Sequence, residues 1–275
     1  AALLNQGDID RQAIGGALAT GTHGTGLQLR NLSAGLVSAR LLLADGRAVE
    51  CSASSEPELF QAARLHLGGL GVMTELTLAI RPAYRLEGRI WLEDLDAVLA
   101  RIDALAEDTR HFEFFWMPGG DRAACKATWE TQEPPVYPLA EEGKRRAWSD
   151  EVLANERNDK HSEMEYSVPL ASGPDCFLAL REMLARDFPA LAWPLEYRTV
   201  AEDDVWLSTA YQRPTATISV HQGIDQPTEP LFTACEDLFR QFSGRPHWGK
   251  IHHRAGQDLA SLHPRWNDWL SLIHI

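Results

Sequence analysis

Glu196 and Arg198, two residues apart in an otherwise apolar segment, are the first side chains in the sequence that could do chemistry. Residues two apart on a β-strand point to the same face of a sheet. The next apolar segment, 215–221, alternates hydroxyl-bearing and aliphatic side chains and ends on His221. If the two segments pair, one sheet face offers donors and acceptors suited to a polyhydroxylated ligand. The alternative is a solvent-exposed face whose ion pair contributes little to stability.

A second candidate is the segment His247-Trp248-Gly249-Lys250-Ile251-His252-His253. Its three histidines raise the question of a metal ion, but the sequence has no HExxH motif. His252 and His253 also cannot point the same way in an extended chain. We therefore predict no metal site, and a metal-dependent hydrolase is only a distant alternative. Lys250, held at the rim of a cleft, could stabilise an oxyanion; the alternative is a plain surface loop.

Residues 15–26 form a glycine-rich stretch with five glycines and three threonines. Interior glycines disfavour a helix, and their lack of side chains disfavours a packed strand. The stretch is therefore expected to be a loop, either a tight connection or a backbone cradle for a flat or anionic ligand. It does not match the dinucleotide fingerprint, because Leu29 stands where a third glycine is needed, and no P-loop lysine follows. A second glycine-rich segment, 68–71, precedes Val72.

Composition limits the classes of partner. The chain has 275 residues and a formal net charge of −13, which gives it no general attraction for nucleic acid or anionic membranes. Its four cysteines are widely spaced without a CxxC motif, which predicts neither disulfides nor a metal site and fits a reducing cytoplasm. No apolar run approaches the roughly 18 residues of a membrane span. The first residue is not Met and both ends lie in structured-looking sequence, so we expect a fragment.

The first region supplies the elements that must hold the glycine-rich stretch. Residues 1–13 are expected to form a short polar helix or turn. The later pattern predicts strands, a hairpin turn, a serine-capped helix and an alternating strand with Val72, Leu76, Leu78 and Ile80 on one face. In order, these are a strand over 36–43, a turn at Asp45-Gly46, a strand over 48–51, a helix over 58–67 capped by Ser54 or Ser55, and a strand over 72–80.

From about residue 84 the pattern becomes strand, helix, strand, strand, and it occurs twice. This indicates an internal duplication that forms one antiparallel sheet with helices on one face, in which 112–115 and 195–198 are equivalent strands. The polar segment 130–160 is expected to be a long excursion or lid. The fold class is therefore α+β. The expected strands are 89–92, 111–116, 123–129, 163–168, 195–200 and 215–221, and the expected helices are 95–105, 175–188 and 230–242.

Taken together, these motifs resemble vanillyl-alcohol-oxidase-type flavoproteins. The similarity is greatest to the sugar-lactone and alditol oxidase branch, which includes D-arabinono-1,4-lactone oxidase, L-gulonolactone oxidase and alditol oxidase. The motifs are Gly15-Gly16, Thr20-Gly21-Thr22-His23-Gly24-Thr25-Gly26, Gly68-Gly69-Leu70-Gly71-Val72, Glu196-Tyr197-Arg198, the stretch 203–208, Ser219-Val220-His221 and His247-Trp248-Gly249-Lys250.

The resemblance implies three parts of a flavoprotein. Residues 1–84 would be the C-terminal part of an FAD-binding domain, and 85–245 a substrate or cap domain. Residues 246–275 would be a truncated segment that returns toward the flavin. An upstream portion that carries the pyrophosphate loop, and often a histidine linked covalently to FAD, is expected to be missing. Gly223 stands where some relatives have a polar residue, which puts the substrate preference in doubt.

The resemblance also implies roles for residues. The substrate would be surrounded at the flavin by four side chains: Glu196, Arg198, Lys250 and His221. FAD would lie along Gly21, Thr22, His23, Gly24, Thr25, Gly26, Gly69, Gly71 and Val72.

The expected activity is FAD-dependent oxidation of a C–OH of a polyol or aldono-1,4-lactone, by hydride transfer to the flavin. Oxygen or another acceptor would then take the electrons. A non-catalytic carbohydrate-binding or scaffold protein using the same polar face is the alternative.

Overall fold

The computed structural model describes residues 1–140, 143–155 and 159–274 and shows an α+β fold with antiparallel sheets. Its strands are β1 (Ala2–Leu3), β2 (Leu36–Leu42), β3 (Ala48–Ser52), β4 (Val72–Leu78), β5 (Ile80–Arg81), β6 (Arg85–Asp94), β7 (His111–Trp116), β8 (Arg122–Thr131), β9 (Arg145–Trp148), β10 (His161–Pro169), β11 (Leu195–Val200), β12 (Thr215–Gly223) and β13 (Arg245–Pro246). Its helices are α1 (Ile14–Ala19), α2 (Pro57–Arg64), α3 (Leu95–Ala100), α4 (Ile102–Glu107), α5 (Ser149–Leu153), α6 (Gly173–Asp187), α7 (Glu229–Gln241), α8 (Gly256–Leu262) and α9 (Trp266–Leu272). No helix within these described ranges is long and apolar enough to cross a membrane.

The large sheet has the strand order β13-β10-β12-β11-β7-β8-β6-β9. Its centre is the antiparallel pair β7 and β11, with Arg198 opposite Glu113 and Tyr197 opposite Phe114. Outward from the central pair, the strands run β7, β8, β6 on one side and β11, β12, β10 on the other. The two copies of the strand–helix–strand–strand pattern therefore occupy corresponding positions, as the predicted duplication requires.

The core lies on the apolar face of this sheet, beneath α3, α4, α6 and α7. Strand alternation places the apolar residues of each strand on this face. Phe114 stacks on Tyr197 with ring centroids 5.1 Å apart and meets the edge of Phe177 at 5.0 Å. Burial of these large rings fixes the register of β7 against β11, because a one-residue slip would expose them.

A second core holds the first region together. The three-stranded sheet β3-β2-β4 packs with α2, and buried Leu41 and Phe60 lie at their interface. The same core includes residues 205–207 and Trp269 of α9. The chain after the large sheet thus returns to pack on the first region. The domain boundaries near residues 84 and 245 stay predictions.

The expectation that residues 15–26 contain no helix was wrong for the first part of the stretch. Helix α1 includes Gly15 and Gly16 despite their poor helix propensity. Leu18, on this short helix, is fully buried, so tertiary packing outweighs the local preference. The prediction that a serine caps the second helix was also wrong. Helix α2 begins after Glu56, which has a φ of 51°, and no serine side chain caps it.

Segment 130–160 was predicted as an excursion or lid; residues 132–140 form no strand or helix, but residues 145–148 are built into the sheet. Strand β9 pairs with β6 at the sheet edge, and α5 follows directly. Residues 141–142 and 156–158 of that prediction lie outside the described residues. Residues 4–13 form no helix, and the helix predicted over 95–105 is two short helices.

The predicted strand over 72–80 was too long and its buried face was partly wrong. The strand β4 ends at Leu78, and β5 begins at Ile80. Val72 and Ile80 are 64% and 62% exposed, so neither belongs to a buried face.

Candidate active site

The face of the large sheet opposite the helices is polar, as the alternation of β11 and β12 predicts. Across β10 and β12, Glu163 lies opposite His221 and Glu165 lies opposite Ser219. Ser219 in turn lies opposite Glu196 on β11. Three strands therefore bring carboxylates, a hydroxyl and an imidazole to one surface. Sequence reasoning missed Glu163 and Glu165, although they stand two residues apart on the predicted strand 163–168, the same spacing that singled out Glu196 and Arg198.

Arg198 lies in a buried network of charges and is not one half of a surface pair. Its Nε donates to Glu196 Oε1 at 2.8 Å and lies 3.3 Å from Glu113 Oε2. Lys126 Nζ lies 2.7 Å from Glu113 and 3.2 Å from Asp8. The Arg198, Glu113 and Glu196 side chains are 12%, 2% and 1% exposed, which excludes the surface-pair alternative.

Charge and burial shift the pKa values within this network. Burial of Glu113, together with the negative charge of Asp8, raises the pKa of its carboxyl to about 7. Burial works against the charged form of Arg198, but the surrounding carboxylates, first Glu196, outweigh it and raise the guanidinium pKa well above its ordinary value. Arg198 is therefore a fixed cation at the floor of the site.

Lys250 lies where the sequence suggested, at the rim of a cleft. The segment that carries it continues from β13 along β10, where the Ile251 amide donates to the carbonyl of Glu163 at 3.0 Å. The Lys250 side chain is 31% exposed, and its Nζ donates to the Glu163 carboxylate. Burial opposes ionisation of Glu163, but the charge of Lys250 outweighs it and lowers the carboxyl pKa. The ammonium group is thus held over the polar face.

A buried hydrogen-bonded group ties the glycine-rich stretch to the sheet. His23 Nε2 lies 3.0 Å from Glu165 Oε1, and Ser219 Oγ donates to Glu165 Oε2 at 2.8 Å. Burial opposes ionisation of Glu165, but the imidazole of His23 outweighs it and holds the carboxyl pKa well below its usual range. His247 packs edge-on against His23, with ring centroids 5.5 Å apart. Burial lowers the His247 pKa to about 4, so its imidazole is neutral at pH 7.

His221 is a neutral base next to these groups. Its Nδ1 donates to the carbonyl of Pro194 at 2.7 Å. Its Nε2 lies 3.7 Å from Glu163 Oε1 and has no hydrogen-bond partner among the described residues. Burial lowers the pKa of His221, which keeps the lone pair on Nε2 available at neutral pH.

A cleft with a cavity volume of about 170 Å³ joins several of the predicted site residues. Its walls include Arg198 and Lys250 from the sheet side, and Thr22 and His23 from the glycine-rich stretch. Glu196 lies beneath Arg198 and is almost fully buried. The structure therefore brings the two cations and part of the stretch to one cavity.

The later glycines of the stretch serve packing within the protein. A Cβ on Gly24 would collide with the carbonyl oxygen of Gln6. A Cβ on Gly26, which has a φ of +142°, would lie 2.5 Å from the carbonyl oxygen of Arg110. A Cβ on Gly21 would lie 2.8 Å from a methyl group of Leu65. These positions require glycine because neighbouring atoms approach the backbone closely.

Thr25 is also engaged within the protein. Its hydroxyl donates to the carbonyl of Phe112 and accepts from the amide of Thr199. This pair of bonds joins the glycine-rich stretch to β7 and β11.

The second glycine-rich segment lies away from the cleft as the structure describes it. Gly71 packs against the backbone of Leu42, and Val72 pairs with the same residue. A Cβ on Gly69 would lie 3.2 Å from the ring of Trp269. The proposed cofactor role of Gly69, Gly71 and Val72 stays a prediction.

The groups around the cleft suit a flavin on two grounds. A reduced flavin carries negative charge, and protein groups near its ring nitrogens tune its chemistry. Lys250 and Arg198 supply positive charge, and Thr22 supplies a hydroxyl. On helix α1, a Cβ placed on Gly15 or Gly16 would meet no atom of the described residues within 4 Å, so packing within the protein does not account for these two glycines. The residues present therefore fit such a group.

Comparison with known proteins gives consistent matches. The family described as D-arabinono-1,4-lactone oxidase matches residues 76–159 and 141–274. The chain is 33% identical to L-gulono-1,4-lactone dehydrogenase of Mycobacterium tuberculosis, over 96% of this chain and 70% of that protein. It is 27% identical to L-gulonolactone oxidase of Bos taurus, over 98% of this chain and 72% of that protein. It is also 27% identical to alditol oxidase of a Streptomyces species, over 98% of this chain and 71% of that protein.

Proposed function

The chain belongs to the D-arabinono-1,4-lactone oxidase family, and from this premise we propose that it is an FAD-dependent oxidoreductase. Its substrate is an aldono-1,4-lactone or a polyol, of which one C–OH group is oxidised. Oxygen is the proposed electron acceptor. The family match does not favour the alternative of a non-catalytic carbohydrate-binding protein.

The observation that supports this function best is the convergence of Arg198 and Lys250 on one polar cleft. Oxidation of a C–OH group requires the hydroxyl to lose its proton, so negative charge develops on the substrate oxygen. Two cations held by buried carboxylates stabilise that charge without reorganising. Glu163 keeps Lys250 in place and Glu196 keeps Arg198 in place.

The remaining groups divide the work of binding and proton transfer. Glu163 and Glu165 line the cleft and can accept hydrogen bonds from substrate hydroxyls, which orients the reacting carbon. His221 Nε2 has a lone pair available, and the Pro194 carbonyl fixes the opposite nitrogen as N–H. We propose that His221 takes the hydroxyl proton by way of the Glu163 carboxylate, because its Nε2 lies 3.7 Å from Glu163 Oε1 and His221 itself does not line the cleft. Bound FAD would supply the acceptor for the hydride that leaves the substrate carbon.

We propose that FAD lies along residues 21–26, with Gly69, Gly71 and Val72 as a more distant part of its site. Support comes from Thr22 and His23, which line the same cleft as Lys250. Residues 1–84 would form the flavin side, 85–245 the substrate side, and 246–275 the returning segment. The shared core of the first region with Trp269 supports that return.

The test is a flavin absorption spectrum of the purified protein after loading with FAD, followed by anaerobic addition of substrate. The expected result is bleaching of the flavin by an aldono-1,4-lactone or a polyol such as xylitol. Glucose 6-phosphate, which is neither an aldonolactone nor a polyol, is the control and should leave the spectrum unchanged. A protein that binds FAD but is reduced by none of the lactones and polyols would overturn the proposal.

A further inference from the structure

Three ligand atoms meet at one point on the polar face, at the outer end of β10 and β12. His161 and Glu163 lie two residues apart on β10, and His221 lies opposite Glu163 on β12. Glu163 carboxylate oxygens lie 3.7 Å from His221 Nε2 and 3.9 Å from His161 Nε2. The three ligand atoms all lie within 4.8 Å of one another.

Both histidines are fixed in the tautomer that a metal ion needs. His161 Nδ1 lies 3.0 Å from the carbonyl of Asp159, and His221 Nδ1 lies 2.7 Å from the carbonyl of Pro194. A carbonyl only accepts, so each Nδ1 carries the hydrogen and each Nε2 carries the lone pair. Backbone carbonyls play this same part behind metal-bound histidines, where they set the tautomer and aim the ring.

His221 provides an independent sign that a ligand belongs here. Its side chain is 2% exposed, and its Nε2 has no hydrogen-bond partner among the described residues. Buried polar atoms without partners are uncommon in native proteins and call for an explanation such as an ion. The unpaired atom lies 3.7 Å from Glu163 Oε1, and the His221 ring lies edge-on to the His161 ring with centroids 5.0 Å apart.

The neighbouring group of His23, Glu165 and His247 has no histidine nitrogen whose lone pair is free for a metal ion. In this group, hydrogen bonds occupy both nitrogens of His23 and both oxygens of Glu165. His247 Nδ1 accepts from the amide of Gly249 at 3.0 Å, so its Nε2 carries the hydrogen and cannot bind a metal. That group is a satisfied hydrogen-bond network.

We propose that His161, Glu163 and His221 bind a divalent transition-metal ion, for which Zn²⁺ is the best match. Two imidazoles and one carboxylate with a position open to solvent form a common ligand set for this ion. With metal–ligand bonds of about 2.0–2.2 Å, tetrahedral ligand atoms lie about 3.3 Å apart. The separations of 3.7 and 3.9 Å from Glu163 must therefore shorten by about 0.5 Å, and no separation within the group, all of which lie within 4.8 Å, must shorten by more than about 1.5 Å. His161 is partly exposed and can make this adjustment.

The ion would compete directly with the arrangement proposed for catalysis. Glu163 would exchange its bond with Lys250 for the metal, and Lys250 is exposed enough to turn toward solvent. His221 would lose its available lone pair. This part rests on the proposed function, and it makes Zn²⁺ an inhibitor that binds at the edge of the cleft. Metal binding itself does not depend on the proposed function.

Binding is tested with Co²⁺ and Zn²⁺ on the whole chain at pH 7.5, without reference to activity. We expect one Co²⁺ per chain with visible d–d absorption bands, which one equivalent of Zn²⁺ abolishes. H161Q and E163Q should each weaken Zn²⁺ binding at least about tenfold. The matched control H253Q removes a half-exposed histidine beside the carboxylate of Glu236 and should bind as the unmodified chain does.

Two results would overturn the proposal. One is the absence of Co²⁺ bands at millimolar metal. The other is Zn²⁺ binding that is unchanged in each of the single variants H161Q and E163Q, or that is lost in H247Q. Circular dichroism of each variant verifies folding. Histidine ring ¹⁵N spectra of the unmodified chain give a second readout, in which Zn²⁺ should shift the Nε2 signals of His161 and His221 and leave that of His247 unchanged.

Discussion

Replacement of Arg198 by methionine should lower the free energy of unfolding by about 3–5 kcal/mol. Methionine preserves most of the side-chain length and removes the charge. Arg198 is 12% exposed and lies between Glu113 and Glu196, which are 2% and 1% exposed. Its loss would remove a counter-charge from both buried carboxylates and leave Lys126 as the cation beside Glu113. A surface ion pair would cost only about 0–1 kcal/mol, so the magnitude separates the two interpretations.

The substitution E113Q tests how much of the stability lost in R198M comes from the Glu113 carboxylate. Glu113 already has a pKa raised to about 7, through burial and the charge of Asp8, and removal of Arg198 should raise it further. A folded-state pKa above the unfolded value means that the contribution of Glu113 to stability falls as the pH rises between 4.5 and about 7. In R198M this window extends to higher pH. The variant should therefore be least stable near pH 8, and E113Q should recover part of the loss there.

The assay is urea unfolding of the single and double variants, followed by tryptophan fluorescence and by circular dichroism at pH 6 and pH 8. We expect a coupling free energy of about 1–3 kcal/mol between R198M and E113Q. The matched control is R186M, which removes an exposed arginine paired with Asp187 and should change stability by less than about 0.5 kcal/mol. A cost below 1 kcal/mol for R198M, or strictly additive effects in the double variant, would refute the reasoning.

Two further predictions concern stability. Burial lowers the pKa of His263 from 6.5 to about 3, so the unfolded chain takes up a proton that the folded chain does not, and stability falls as the pH drops below 6.5. H263F should abolish a loss of about 2 kcal/mol between pH 7 and pH 5, measured by urea unfolding at both values; an unchanged pH slope would contradict this. G26A should cost about 3 kcal/mol, because position 26 has a φ of +142° and a Cβ there would lie 2.5 Å from the Arg110 carbonyl oxygen. Its control G16A, in open space on α1, should stabilise the protein by up to about 1 kcal/mol, and equal effects of the two would be inconsistent with the packing described.

Much of the large sheet could be predicted, because a strand has a period of two residues and alternation shows directly which face is buried. In 195–200 and 215–221 that period placed Glu196, Arg198 and His221 on the polar face before any partner strand was known. The doubled strand–helix–strand–strand pattern likewise predicted the arrangement of strands about the β7–β11 pair.

The rest of the site depends on contacts between distant parts of the chain. His23 meets Glu165 across 142 positions, and nothing local to either residue signals the pairing. Glu163 and Glu113 each sit alone between apolar or hydroxyl neighbours, so only the strand register shows that they hold Lys250 and Arg198. Local helix propensity also gave a wrong prediction where tertiary packing outweighed it. Helix α1 forms because Leu18 is buried, despite the poor helix propensity of its glycines.

The most direct test of the central claim is the rate constant for anaerobic reduction of the bound flavin by an aldono-1,4-lactone, compared between K250M and the unmodified protein. Removal of one preorganised charge from the developing oxyanion should lower that rate constant about 10²–10³-fold. The matched control K144M removes a surface lysine that pairs with Glu87 and should leave it unchanged. Flavin reduction by K250M at the unmodified rate would contradict the account of this cleft as the site where the C–OH group is oxidised.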